Sequence, residues 1–75
     1  MHIMKGLASF VKEKRKLAGF TQEEFAERAG VALTVIRKIE QGKDTLNMSS
    51  VNQVLLMFGS ILAPVSKREI ETLAT

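Results

Sequence analysis

Apolar residues recur along the chain in four short stretches of helical period, and each stretch is closed by a glycine. In the first, Leu7, Phe10, Val11, Leu17 and Ala18 fall on one face and the lysines mostly on the other, the pattern of an amphipathic helix. Gly19 supplies a left-handed stop, which predicts a helix over about Met4 to Ala18. Thr21 then caps a second helix. Glu24, at the third helical position, reaches back to complete a capping box, and Phe20 and Phe25 flank the cap as a hydrophobic staple. This helix is predicted over Gln22 to Ala29, burying Phe25, Ala26 and Ala29, and Gly30 ends it. Only Gly30, Val31 and Ala32 precede a third helix, whose inward face is Val35, Ile36 and Ile39 and which stops at Gly42. Past a loop through Lys43, Asp44 and Thr45, Asn47 caps a fourth helix with Met48, Val51, Val54, Leu55 and Phe58 as its stripe. Met48 and Met57 read as gap-filling core, and Gly59 ends the helix.

Beyond Gly59 the period changes. Ile61, Leu62, Ala63 and Val65 form a short apolar run that Pro64 confines to an edge strand or extended segment. Ser66 and Glu69 offer a second capping box before Ile70, Leu73 and Ala74, which makes either a short helix or, the favoured reading, a frayed tail. The expected organisation is a disordered terminus over 1–3, a helical domain over 4–59, and a strand and tail over 60–75. The fold class is all-α: a compact four-helix domain with a short C-terminal strand or extended segment.

Composition narrows the chemistry. At 75 residues the chain buries only about 60% of its unfolded surface and needs support from a disulfide, a metal or a partner subunit. It has no cysteine, and its one histidine is His2 near the terminus. That leaves association as the support and removes zinc, Cys–His and Ser–His–Asp chemistry. No cofactor and no enzymatic activity are expected. Glu23, Glu24 and Glu27 share one short helix without a Lys, His or second carboxylate helix to shift them, so they read as a solvated face and not an acid/base pair. No apolar run of membrane-spanning length is present, and the protein is expected to be cytoplasmic. The net charge of +3 is segregated. Lys5, Lys12, Lys14, Arg15 and Lys16 stand against Glu13 alone, and Arg37, Lys38 and Lys43 against Glu40. Such patches suit a polyanion.

Two short helices joined by a tight turn with glycine at its first position make a helix-turn-helix. The stretch Phe20-Thr-Gln-Glu-Glu-Phe-Ala-Glu-Arg-Ala-Gly-Val, continued by Val35-Ile-Arg-Lys-Ile-Glu-Gln-Gly42, resembles the Cro/C1-type (XRE-like) helix-turn-helix repressors, a lambda-repressor-like fold. The likeness runs from about Leu7 to Gly59, with Gln22, Ala26, Gly30, Ile36, Glu40 and Gly42 at the family's spacings. The continuation into Ile-Leu-Ala-Pro-Val is similar to the small HipB-like antitoxins.

The resemblance implies that Ala32, Leu33, Thr34, Arg37 and Lys38 face DNA from a recognition helix. Arg37 and Lys38 would bond guanine O6/N7 or clamp a phosphate, and Thr34 would reach a base edge or a thymine methyl. Leu33 departs from the polar residue usual there and would read thymine methyls. Gln22, in the first turn of its helix, is placed to hold a phosphate with the helix amides. Lys43 is positioned for the backbone, with Lys14 or Lys16 as further candidates. Ala26 and Gly30 read as packing and turn residues. Arg15 and Glu40 would form a partly buried structural ion pair, with a phosphate contact as the other reading of Arg15. The expected function is a DNA-binding repressor acting as a homodimer through Ile61, Leu62, Ala63 and Val65. It would serve as antitoxin and autorepressor beside a HipA-like kinase toxin. The alternatives are a phage, plasmid or host regulator without a toxin, and a helix-turn-helix used only for protein contacts.

Overall fold

The structure, a computed structural model, describes residues 3–66. Its helices are α1 (Ile3–Leu17), α2 (Gln22–Ala29), α3 (Leu33–Glu40) and α4 (Met48–Leu55), and α4 is continued by a 3-10 turn over Leu56–Phe58. Among the described residues there is no strand, and the fold is all-α as its periodicity predicts. Ile3 lies inside α1, not in a disordered terminus. The readings for residues 1–2 and 67–75, including the Ser66–Glu69 capping box, fall outside the described residues.

Local chemistry sets the helix ends. The Thr21 hydroxyl accepts from the Glu24 N–H at 3.1 Å, and the Thr21 N–H donates to Glu24 Oε1 at 2.9 Å, satisfying two amides that the helix itself leaves bare. Phe20 and Phe25 stack across this cap with centroids 6.4 Å apart. Asn47 Oδ1 accepts from the Ser50 N–H at 3.2 Å and starts α4. The turn between α2 and α3 needs Gly30, whose φ of +72° is strained for a residue with a Cβ. There the Val31 N–H returns to the Ala26 carbonyl at 3.0 Å and the Gly30 N–H to Glu27 at 3.2 Å, the two bonds of a Schellman turn.

Val11, Phe25, Ile36, Ile39, Val51 and Val54 are wholly buried, each worth about 1.5–3 kcal/mol of transfer free energy. The four phenylalanines form one line through this core. Phe10 meets Phe58 edge-on at 6.3 Å, Phe58 stacks on Phe25 at 5.5 Å, and Phe25 stacks on Phe20. Buried Ala26 lets α3 pack closely on α2, and α3 also lies against α1. The recognition-helix candidate is thereby held from two sides.

Four apolar expectations are corrected. Leu17 is 75% exposed and Ala18 is also exposed. Leu17 follows Val11 by six residues, which turns it about 120° away from the buried face, and Ala18 lies past the last helical residue. Met48 and Met57 are exposed rather than core, since Met48 occupies the first position of α4, a turn before the first buried residue. The segment after Gly59 is irregular, and Ile61, Leu62 and Val65 are exposed. A strand needs a partner edge, and the described chain offers it none. One bond fixes its start: the Leu62 N–H donates to Asn52 Oδ1 of α4 at 2.6 Å.

Candidate nucleic-acid interface

α3 has two unlike sides. Ile36 and Ile39 are buried and Val35 is half-buried against the core, while Ala32, Thr34, Arg37 and Lys38 are exposed. Leu33 is half-buried and packs on the core, so only part of its side chain is left to touch a methyl group. The N-terminus of α3 starts at Ala32 with no side-chain cap. The Val35 N–H returns to the Ala32 carbonyl at 3.0 Å, which leaves only the amides of Leu33 and Thr34 for an outside acceptor.

Lys38 and Lys43 are joined by the turn that ends α3. Gly42 adopts φ +75°, and the Lys43 N–H donates to the Lys38 carbonyl at 3.1 Å. Two exposed ammonium groups thus flank the C-terminal end of the helix. Lys14 stands over the Phe10 ring at 5.6 Å and is half-buried, whereas Lys16 is exposed.

Glu40 is the hub beneath this surface. Its Oε2 accepts from Arg15 Nε at 2.7 Å, and its Oε1 accepts from Arg15 Nη2 at 3.0 Å and from Gln22 Nε2 at 3.2 Å. Arg15 also donates through Nη1 to the Phe20 carbonyl at 2.8 Å. The side chains of Arg15 and Glu40 are 12% and 5% exposed, so the pair is largely shielded from water. Its guanidinium is held more firmly charged than usual, chiefly by the bond to Glu40, against the opposing effect of burial and with help from the charges of Glu40 and Glu23. Gln22, placed by its sequence position in the first turn of α2, is half-buried and has one amide hydrogen committed to Glu40. Its second remains for an external oxygen.

Two residues of this region are not marked by helical period or capping. Glu23 reaches from α2 to Arg37 on α3, with Oε1 3.7 Å from Nη2. Gln53 of α4 donates its Nε2 to the carbonyls of Ala29 at 3.0 Å and Gly30 at 3.1 Å, bracing the end of α2. These contacts join segments distant in sequence, and spacing within one helix carries no signal for them.

The surface presents cations, a hydroxyl, amides and small side chains along the exposed side of α3. That inventory suits phosphate oxygens and the edges of bases. Among the described residues no group of three or more His, Cys, Asp or Glu is arranged to hold a metal, and no helix is long and apolar enough to cross a membrane.

A helix-turn-helix family model, HTH_3, matches residues 11–59, from the first wholly buried residue of α1 to the glycine after the 3-10 turn. No curated protein and no solved structure matches the chain.

Proposed function

The chain belongs to the HTH_3 helix-turn-helix family of XRE-type DNA-binding regulators, and from that premise we propose that it is a sequence-specific repressor working as a homodimer in the cytoplasm. Each subunit lays α3 in a major groove. Thr34, Arg37 and Lys38 meet base edges or phosphates, Ala32 and the exposed part of Leu33 lie against the groove, and Gln22 and Lys43 grip the backbone. A two-fold dimer then needs an inverted-repeat operator with half-sites about 34 Å apart. The observation that carries this reading is the division of α3, with Ile36 and Ile39 anchoring one side and Thr34, Arg37 and Lys38 exposed on the other.

Selection from a random duplex pool, followed by footprinting, tests it. The expected result is an inverted repeat whose affinity falls steeply with salt, because neutralised phosphates release counterions. Absence of salt-dependent binding to any duplex would instead favour a module for protein contacts.

The proposed biological role is the antitoxin and autorepressor of an operon encoding a HipA-like kinase toxin. Support comes from apolar surface that neither DNA contact nor the segment after Gly59 uses: Leu17, Leu56 and Met57 are all exposed. Expression with the neighbouring reading frame tests this role. A kinase-sized chain that co-purifies and represses jointly supports it; a repressor that purifies alone beside such a chain is a regulator without a toxin.

A further inference from the structure

Glu23 is not needed to cap α2, a task Glu24 performs, and it is not part of the core. Its carboxylate nevertheless stands across the helix-turn-helix from Arg37, at 3.7 Å, with both side chains more than half exposed. That separation is an ion pair rather than a hydrogen bond. Glu23 therefore attracts Arg37 by charge without fixing its orientation.

We propose that Glu23 is a specificity-determining residue of the DNA-binding surface, an internal anion that competes with DNA phosphates for Arg37. The inference rests on the DNA-binding reading above. A free arginine on this face would neutralise whichever phosphate came nearest, which adds affinity without sequence information. With Glu23 beside it, a phosphate must displace a carboxylate and bring its own negative charge against Glu23. A guanine edge is neutral and offers two directional acceptors to the guanidinium, so it incurs much less of that repulsion. The penalty falls on non-specific contact and widens the ratio between operator and random sequence. Exposed ion pairs are weak, and the expected effect is about two- to fivefold.

The test titrates full-length protein against a random-sequence duplex and its selected operator by fluorescence anisotropy over a range of salt. Glu23→Gln keeps the size of the side chain and removes its charge. It is expected to bind random duplex about two- to fivefold tighter, with a salt slope steeper by about 0.9 as one more phosphate is neutralised. Operator affinity should rise less, so the specificity ratio falls. The gain should vanish in an Arg37→Ala background. Glu27→Gln, the same charge change one turn along α2, should not reproduce it. Circular dichroism melts verify that each variant is folded. An unchanged ratio overturns the proposal, as does a gain that persists without Arg37 or is matched by Glu27→Gln; each of these leaves the DNA-binding reading standing. If the wild-type protein binds neither duplex, that reading falls and the proposal falls with it.

Discussion

Glu40 of α3 holds Arg15 of α1 with both carboxylate oxygens, at 2.7 Å and 3.0 Å. Through Gln22 and the Phe20 carbonyl the same network reaches the start of α2, so one carboxylate fixes the mutual position of three helices. The pair is largely shielded from water, and removing one member strands the other charge. Glu40→Ala is expected to cost about 3–5 kcal/mol, a large part of the stability of so small a domain. Arg15→Lys keeps the charge and loses the planar fork, so it should fall between wild type and Arg15→Ala. Urea denaturation followed by circular dichroism measures all three, and a loss under about 1 kcal/mol for Glu40→Ala would mean the pair behaves as an exposed one.

Gly30→Ala tests the turn that presents α3. The alanine must take φ near +72°, which costs about 1–2 kcal/mol. Its Cβ would also stand 3.0 Å from Gln53 Nε2. Gln53 must give by a few tenths of an ångström, which stretches its bonds to the Ala29 and Gly30 carbonyls at a further cost of up to about 1 kcal/mol. Gly42→Ala is the control, because φ is +75° there and nothing lies within 4 Å. Gly30→Ala should therefore be the more destabilising of the two, and a Gln53→Ala background should bring them closer together.

Acid should loosen α2 through its capping box. The Glu24 carboxyl is held below its ordinary value, first by the Thr21 backbone hydrogen bond and then by the Thr21 side chain. A carboxyl whose folded-state pKa is depressed adds stability above its unfolded pKa, and that stability is lost as pH falls through the folded value. The expected window opens below about pH 4.3 and closes once the folded group is protonated. Stability measured from pH 6 downward should decline there, and Glu24→Gln should flatten that part of the curve. A variant with an unchanged acid limb would place the titrating group elsewhere.

The helices were legible in the sequence because their end signals are local. Thr21 with Glu24, Phe20 with Phe25, and Asn47 with Ser50 all lie within one turn or two. Arg15 and Glu40, coupled on paper only by a family likeness, meet at hydrogen-bond distance. What stayed hidden depends on how the helices are stacked. Period assigns Met48 to an apolar stripe but does not say where the neighbouring helix ends, and Met48 is exposed. The cross-helix partners of Arg37 and of the Ala29 carbonyl, Glu23 and Gln53, follow only from the assembled fold.

Lys38 and Lys43 give a measurable electrostatic signature. If each holds one phosphate, changing either to alanine should lower the slope of log affinity against log salt by about 0.9. Both variants should weaken operator and random duplex by similar factors. Thr34→Ala should instead leave the slope unchanged and relax sequence preference at one position of each half-site, since a lost base contact carries discrimination. A Lys38 variant that relaxes preference without changing the slope would move that side chain from phosphate to base.

The apolar segment after Gly59 predicts how two subunits meet. In a strand the backbone groups of alternate residues face the same edge. Leu62 already donates its N–H to Asn52 of its own α4, and Pro64 has no N–H to give. The amides of Ile61, Ala63 and Val65 are then left on the opposite edge, where a second copy of the same segment can pair with them antiparallel across a two-fold axis. Ile61, at 64% exposure, and Val65 would be covered by that pairing. Replacing both with aspartate should shift sedimentation equilibrium from dimer to monomer while helix content is retained. Binding to a full operator should then fall towards that of a single half-site. Asn52→Ala should weaken the dimer less, by freeing the strand to slip without removing its apolar contacts. A chain truncated after Gly59 that still sediments as a dimer would place the interface on the helices instead, with exposed Leu56 and Met57 as the first residues to change.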